Sequence, residues 1–271
     1  MALMPAETAL ARVLEGIAPP DEETVPIGQA VGRVLTRDLA AKLTQPPFNA
    51  SAMDGYAIYG AAAVSPGDRW TVAGEAAAGS AFVGTVGPGE AVRIFTGAPV
   101  PATCGTVVIQ ENVTREGDAL VADQPARAGA NIRLAGNDFA EGEVLLARGR
   151  RLDAYSATLA AAMGHGEVAV ARRPTVAILA TGDELVPPGT APGPDQIVSS
   201  NPVGLAALVA HAGGVPRDLG IAADKKEALA ERIGQAGDAD ILVTIGGASV
   251  GDHDLVGPVL KDNGIDLAFW K

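Results

Sequence analysis

The chain has 271 residues, 48% of them hydrophobic and only 4% aromatic, a length sufficient for about two domains with substantial cores. Its formal net charge of −12 argues against a general nucleic-acid-binding surface, which would need clustered Lys and Arg. Cys104 is the only cysteine, and no charged start precedes a long apolar run, so the sequence predicts a cytoplasmic protein without a disulfide, signal peptide or membrane span.

Two helical segments flank the middle of the chain. Apolar residues at i, i+3, i+4 and i+7 predict an amphipathic first helix that ends before Pro19, with apolar positions Leu10, Val13, Leu14 and Ile17. A second helix is predicted over residues 152–163, with Gly164 as its C-terminal stop. The two flanking pieces, residues 1–43 and 141–172, are therefore predicted to form one α-rich part of the protein.

Residues 44–140 between these pieces have a different character. Glycine and proline recur throughout and separate short apolar runs such as residues 106–109. Regular turn signals around short strands are typical of an all-β module. Because helical segments flank it on both sides, this β-rich domain can be inserted into the α-rich part.

From residue 174 onwards the pattern is strand, loop and helix, repeated. The predicted strands are 176–180, 218–221 and 241–245. Helices are predicted to begin near Pro202 and at Asp224, and alternating β and α elements predict a mainly parallel sheet covered by helices. The fold class is thus multidomain α/β plus β, with residues 173–271 as a three-layer α/β domain. We expect this domain to be incomplete, because the sequence stops at Lys271.

Residues 240–254 carry the most distinctive chemistry. Their apolar run has the length of a strand buried on both faces, and it stops at Gly246 and Gly247. Gly246 and Gly251 have the spacing of a phosphate-binding Walker A loop, but Asp252 follows where that motif requires lysine. A glycine-rich turn followed by acids makes sense if a divalent cation lies between the acids and a phosphate. A tight turn with solvated acids is the alternative.

Other polar residues are expected at the same edge of the sheet. Ligands bind outside the carboxyl ends of the strands in an open parallel sheet, so Asp183 and Glu184 can share a site with the acids after the third strand. Asp224 can join them or can simply cap a helix. The free N–H groups of the helix that follows Ser200 and Asn201 can bind an anion, although both residues are also ordinary capping residues.

Several segments together resemble one known family. In chain order they are PPFNASAMDGYAI, GEAAAG, RIFTGAPVP, GANIRLAGNDF, ILATGDEL, SSNPVGLAALV and TIGGASVGDHD. Their order is similar to that of the molybdopterin molybdenumtransferase family, the bacterial relatives of the gephyrin E domain. The resemblance covers nearly the whole chain. It implies a homodimer in which a β-rich domain is inserted into a linker domain and a molybdopterin-binding α/β domain follows.

The resemblance also implies a reaction in molybdenum cofactor biosynthesis. Members of the family insert molybdate into adenylylated molybdopterin and release AMP with the help of Mg²⁺. Molybdate and adenylylated molybdopterin are therefore the expected substrates, and the molybdopterin adenylyltransferase is a possible protein partner. No nucleic-acid or membrane partner is expected. The family continues beyond the segment that matches FWK, so we expect a chain truncated at its C-terminus, whose parent is an enzyme even if this piece is inactive.

Matching the family's motifs assigns the expected site residues. The catalytic residues are Asp54, Thr96, Glu184, Asp254 and Lys271. The metal ligands are Asp183, Glu184, Asp224, Asp252 and Asp254. The cofactor-binding residues are Thr181, Gly182, Ser200, Asn201, Gly246, Gly247, Ser249 and Gly251. Arg133 and Asp138 match a further turn of the β-rich domain.

Two alternative functions remain open at this stage. One is a non-catalytic pterin-binding or scaffold fragment of the same family. The other is a nucleotide pyrophosphohydrolase of the competence-damage type, which has similar TGDEL-like and GGxSxG-like loops. The β module with its MDGYA segment argues against the pyrophosphohydrolase.

Overall fold

The computed structural model describes residues 4–246 and 255–265 of the chain. The helices in this part are α1 (Ala6–Leu14), α2 (Ala154–Ala162), α3 (Asn201–Ala212), α4 (Lys226–Ala236) and α5 (Val256–Asp262). None of these described helices is long and apolar enough to cross a membrane.

Short strands make up most of the remaining regular structure. The strands are β1 (Glu22–Pro26), β2 (Leu39–Ala40), β3 (Ala50–Ser51), β4 (Gly55–Tyr59), β5 (Arg69–Ala76), β6 (Glu90–Ile94), β7 (Cys104–Ile109), β8 (Val113–Glu116), β9 (Ala119–Ala122), β10 (Ile132–Arg133), β11 (Val144–Leu146), β12 (Glu167–Ala171), β13 (Thr175–Thr181), β14 (Leu185–Val186), β15 (Ile197–Val198), β16 (Val215–Ala222) and β17 (Ile241–Ile245).

The chain divides into two units. The α/β unit contains Met1–Val25, Ala30–Thr36 and Ala169–Lys271, and the β unit contains Pro26–Gln29 and Arg37–Val168. The mixture of a β-rich part with an α/β part confirms the predicted fold class. The finer division into a linker domain (1–43 and 141–172), an inserted domain (44–140) and an α/β domain (173–271) stays a prediction.

The β unit is built on a six-stranded sheet in the order β7-β4-β6-β5-β9-β8. β5 and β6 run parallel, whereas the other neighbouring strands are antiparallel. Alternate residues of β4 pack into two separate apolar clusters, with Ala57 in one and Tyr56 and Ile58 in the other. The sheet is therefore buried on both faces. Cys104 lies in the first cluster, and burial raises the pKa of its thiol to about 11, which suits a packing role.

The α/β unit contains a three-stranded parallel sheet in the order β16-β13-β17. α3 connects β13 to β16, and α4 connects β16 to β17 in the opposite direction across the sheet. Right-handed crossovers of opposite direction place their helices on opposite faces. Leu179 and Leu219 pack against Leu229 of α4 and Val256 of α5. The result is the three-layer arrangement that the sequence predicts.

The third predicted strand differs from expectation in its burial. β17 has the predicted limits, but Ile241 is 49% exposed and the other residues of the strand are only half-buried. Within the described residues β17 lies at one edge of the sheet and pairs with β13 alone. The prediction that this strand is buried on both faces is therefore wrong for the described part of the chain, because its side chains are only partly covered there.

Candidate functional site

The three strands of the parallel sheet in the α/β unit have their carboxyl ends side by side. Thr181 lies opposite Ala222, and Ala180 lies opposite Ile245. The Gly182 N–H donates to the Ala222 carbonyl at 3.1 Å, and the Thr181 hydroxyl makes a long contact of 3.5 Å with the Ile245 carbonyl. The carboxyl ends of all three strands therefore lie at one edge of the sheet, as the sequence predicts.

Two predicted metal ligands meet at this edge. The backbone N–H of Asp224 donates to Oδ1 of Asp183 at 3.1 Å, and both residues are exposed. Lys225, not Asp224, occupies the N-cap position of α4. The helix-capping role considered for Asp224 is therefore not observed. Instead, its backbone orients the Asp183 carboxylate.

Gly246 is required by close backbone packing. Its φ is +99°, and a Cβ atom there would lie 2.6 Å from the Thr181 carbonyl oxygen and 2.8 Å from the Thr181 hydroxyl oxygen. Real side chains do not approach that closely, and a positive φ further penalises residues other than glycine. Glycine therefore allows the end of β17 to lie against the end of β13.

We expect Gly246→Ala to destabilise the α/β unit by about 1–3 kcal/mol, because the new methyl group displaces Thr181 and strains the backbone. Chemical denaturation measures the loss, and amide NMR shifts of Thr181 and Gly182 locate it. Gly234→Ala is the matched control, since Gly234 lies within α4 and nothing is within 4 Å of a Cβ there. Equal stability of the two variants would contradict the packing role of Gly246.

The remaining predicted residues of this unit lie along the segment that leads into α3. The Ile197 N–H donates to the Glu184 carbonyl at 2.8 Å, and the Glu184 side chain is exposed. Ser200 occupies the N-cap position of α3 but makes no side-chain capping bond, and Asn201 begins the helix. A cavity of about 440 Å³ adjoins them, lined by Leu185, Pro187, Pro188, Ser199, Pro202, Val203, Asp218, Gly220, Ile221 and Arg232.

Some predicted site residues lie outside the part that the structure describes. They are Gly247, Ser249, Gly251, Asp252, Asp254 and Lys271, and their roles stay predictions. Within residues 4–246 and 255–265, no group of three or more His, Cys, Asp or Glu side chains is arranged to hold a metal ion. Among the predicted metal ligands that the structure describes, Asp183 and Asp224 are in contact, through the hydrogen bond from the Asp224 backbone N–H to the Asp183 carboxylate.

In the β unit, Asp54 and Thr96 form a hydrogen-bonded pair. Oδ1 of Asp54 accepts from the Thr96 N–H at 2.8 Å and from the Thr96 hydroxyl at 2.7 Å. These two bonds hold the pKa of Asp54 below its ordinary value, and the positive charge of Arg93 adds to the effect. Asp54 is thus ionised at neutral pH and suits the role of a fixed anion or acceptor better than that of a general base.

The residue after Asp54 must be glycine for a steric reason. A Cβ atom on Gly55 would overlap the carbonyl of Val108 on the neighbouring strand β7. The close approach of β4 and β7 therefore fixes the backbone directly beside Asp54. The glycine of the MDGYA segment thus has a packing role that supports the acid before it.

Three turns that look unrelated in the sequence meet beside Asp54. The Ser51 N–H donates to the Ala98 carbonyl at 2.9 Å, and the Gly97 N–H donates to the Ser51 carbonyl at 2.8 Å. The Ala52 N–H donates to the Asn131 carbonyl at 2.9 Å. The loop before Asp54 is therefore tied both to the loop that carries Thr96 and to the turn at Asn131.

Arg133 and Asp138 lie in that third turn. Their side chains form an ion pair, and the hydrogen bond from Arg133 lowers the pKa of Asp138. β10, which contains Arg133, pairs with β3, so Arg133 lies opposite Ala50. The two residues that match the family's further turn thus lie beside the loop of Asp54.

Sequence reasoning assigned no role to Arg93, yet the structure places it at the centre of this group. Its guanidinium donates to the Gly55 carbonyl at 3.0 Å and to Oε1 of Gln110 at 2.6 Å. It also lies over the rings of Tyr56 and Phe95, at 5.1 and 4.6 Å from their centroids. Arg93 stands three residues before Thr96 in the RIFTG segment, but the sequence alone does not reveal which strands it bridges.

The fold and these residues define a class of protein. It is a multidomain α/β protein in which glycine-bearing and acid-bearing loops meet at the carboxyl edge of a parallel sheet, the usual place for ligand binding in such sheets. A family model described as the MoeA N-terminal region (domain I and II) matches residues 4–164. A second model, described as a probable molybdopterin binding domain, matches residues 177–271. The chain belongs to the MoeA family.

The sequences of known molybdopterin molybdenumtransferases are similar to this chain, in agreement with this membership. The molybdopterin molybdenumtransferase of Nostoc sp. is 38% identical over 275 residues, which cover 97% of this chain and 63% of that protein. Molybdopterin molybdenumtransferase 2 of Mycobacterium tuberculosis is 40% identical over 242 residues, which cover 86% of this chain and 59% of that protein. The chain thus spans about three fifths of the length of these relatives.

A solved structure has the same fold. The molybdopterin biosynthesis MoeA protein of Pyrococcus horikosii has a TM-score of 0.82 and is 34% identical, with 96% of this chain and 67% of that chain covered. Because the match includes nearly the whole chain, both the β-rich and the α/β parts have counterparts in one MoeA protein.

Proposed function

We propose that the complete protein is a molybdopterin molybdenumtransferase that inserts molybdate into adenylylated molybdopterin and releases AMP. The observation that carries the proposal is the common end of β13, β16 and β17, where Gly182, Asp183 and Asp224 are held together. A substrate with a pterin phosphate, an AMP and an oxyanion requires a site where the protein backbone can approach the phosphates closely. The site must also offset their negative charge. Membership of the MoeA family supports the same reaction.

Mg²⁺ is part of this proposal, and the chemistry of the donor set suits it. Mg²⁺ prefers oxygen ligands and is often held by one or two carboxylates together with substrate phosphates. We propose that Asp183 and Asp224 supply carboxylates, with Glu184, Asp252 and Asp254 as further ligands. When bound, Mg²⁺ neutralises charge on the phosphoanhydride that is cleaved. Glu184 and Asp254 are also proposed to act in catalysis, as is the cation of Lys271.

The backbone of the α/β unit is proposed to bind the substrate's phosphates. Thr181 and Gly182 lie at the end of β13, and the glycines from Gly246 onwards follow β17. Ser200 and Asn201 lie where α3 begins, and helix N-termini favour anions through their free N–H groups. Gly247, Ser249 and Gly251 are proposed to continue this binding surface.

The β unit is proposed to supply a fixed carboxylate. Oδ1 of Asp54 is engaged by Thr96, so Oδ2 is the oxygen that can turn to substrate. An ionised carboxylate held by two hydrogen bonds orients donors on a substrate without reorganising. We also propose that the protein acts in the cytoplasm as a homodimer and receives its substrate from the molybdopterin adenylyltransferase.

Substrate turnover tests this proposal. We expect the complete gene product to release AMP from adenylylated molybdopterin only when both molybdate and Mg²⁺ are present. Chromatography measures the AMP, and a molybdenum assay measures the product. Tight substrate binding without AMP release would favour the scaffold function. Nucleotide hydrolysis that does not depend on molybdate would favour a pyrophosphohydrolase.

A further inference from the structure

The side chain of Arg93 spans three strands of the β unit. Arg93 on β6 lies directly opposite Tyr56 on β4, and β4 pairs on its other side with β7. Gln110, to which Arg93 donates, follows β7 directly. The guanidinium therefore reaches across β4 at the end of the sheet where Asp54 precedes β4 and Thr96 follows β6.

Three contacts of the Arg93 side chain involve neighbours of the Asp54–Thr96 pair. Its Nη1 donates to the carbonyl of Gly55, the residue after Asp54. Its ring contact with Phe95 is to the residue before Thr96. Its Nη2 donates to Gln110, whose own backbone N–H donates to the Asp54 carbonyl at 3.1 Å. The backbone is thus fixed on both sides of the hydrogen bonds between Asp54 and Thr96.

We infer that Arg93 is a positioning residue that holds Asp54 and Thr96 in register across strands β6, β4 and β7. Its catalytic meaning rests on the function proposed above. Its structural meaning does not, because the hydrogen bonds between Asp54 and Thr96 are made entirely within the β unit.

Arginine suits this role better than lysine. A planar guanidinium presents several donors in fixed directions and stacks on aromatic faces, whereas the lysine ammonium is a point charge on a flexible stem. Arg93 uses both properties, with two different acceptors and two rings. A lysine at this position keeps the charge but cannot make all four contacts together.

The charge of Arg93 alone does not explain the arrangement. The low pKa of Asp54 comes first from the two Thr96 hydrogen bonds, and the charge of Arg93 contributes less than either. The main consequence of Arg93 is therefore geometric. This distinction can be tested, because Arg93→Lys keeps the charge and Arg93→Gln removes it.

Amide hydrogen exchange of this chain, without substrate, tests the inference. We expect the Thr96 amide to exchange about fivefold faster in both Arg93→Lys and Arg93→Gln, which is the change expected when a hydrogen bond worth about 1 kcal/mol is lost. Arg115→Gln is the control, since Arg115 lies on β8 of the same sheet and donates to Gly117. It is expected to leave Thr96 unchanged.

Three results would overturn the inference. Wild-type exchange in Arg93→Lys with faster exchange in Arg93→Gln would assign the effect to charge. Wild-type exchange in both variants would remove Arg93 from the pair altogether. Equal acceleration at the buried residues Ala57 and Val92 would show that Arg93 stabilises the whole sheet and not the pair.

Kinetics of the complete protein provide the second readout. We expect Arg93→Lys to lower kcat for AMP release by about 10- to 100-fold with little change in KM, because a misplaced group costs rate more than binding. An unchanged kcat would contradict a positioning role in the reaction. If the wild-type protein releases no AMP, the proposed function fails, while the exchange experiment still decides whether Arg93 holds the pair.

Discussion

Asp54→Asn is expected to lower the rate of AMP release by the complete protein about 100-fold or more, while the β unit stays folded. Asparagine has nearly the same shape, and its side-chain oxygen can still accept from Thr96. The substitution removes only the negative charge, and loss of one preorganised group that stabilises charge in the transition state typically costs about 10²–10³ in rate. Steady-state kinetics measure the loss, and circular dichroism checks the fold.

Asp68→Asn is the matched control for this substitution. Asp68 lies in the same unit, and its carboxylate also accepts a backbone N–H, that of Ser65 at 2.8 Å. It belongs to a separate surface turn, so its substitution is expected to leave the rate unchanged. Full activity of Asp54→Asn would remove Asp54 from the proposed site, whereas equal losses in both variants would point to a general effect of removing acids.

The pH dependence of the wild-type Asp54 carboxylate has a definite sign. The Thr96 hydrogen bonds lower the pKa of Asp54 from its ordinary value of 3.8. A group with a lowered pKa in the folded state contributes its stabilisation above the unfolded pKa and loses it as the pH falls through the folded value. Asp54 is therefore expected to stay ionised throughout the neutral and mildly acidic range, and any loss of activity near pH 6 must come from another group.

The sequence predicts local elements well where the pattern is continuous. The apolar run before Thr181 becomes β13, whose residues from Val176 onwards are all buried. β16 was predicted to begin at Asp218 but begins at Val215, because its first residues are partly polar and their pairing with β13 is not visible in a pattern. Periodicity predicts an element, but strand pairing sets its limits.

Exposure is harder to predict because it depends on distant parts of the chain. The first helix forms as α1, but it ends at Leu14, and its apolar residues Leu10, Val13 and Leu14 are 56–59% exposed. An amphipathic pattern shows that a helix has an apolar face but not what covers that face. The same limitation explains β17, whose apolar sequence is typical of a central strand although it pairs on one side in the described residues.

In the candidate site, too, some features follow from local sequence motifs and others depend on distant parts of the chain. Motifs predict that Asp183 and Asp224 follow strands of one parallel sheet, and the structure brings them together. The contact between Arg93 and Gln110 depends on the register of three strands. Register is set by packing and turns across the whole β unit, so a single sequence does not reveal which side chains face each other.

Leu179→Ala is expected to destabilise the α/β unit by about 3 kcal/mol, the typical cost of replacing a buried leucine by alanine. Leu179 is 0% exposed and packs in the cluster that joins β13 to α4 and α5. The cavity left behind cannot be filled easily, because strands and helices close it from both sides. The denaturant midpoint is expected to fall while the slope of the transition stays constant, which identifies a change in stability and not in the extent of unfolding.

Leu208→Ala provides the matched control, because Leu208 lies in the same unit on α3 but is 66% exposed. We expect its effect to stay within about 0.5 kcal/mol. Both variants should be compared at several protein concentrations, since a partner that covers Leu208 would make its effect depend on concentration. A small effect of Leu179→Ala at every concentration would contradict the proposed core.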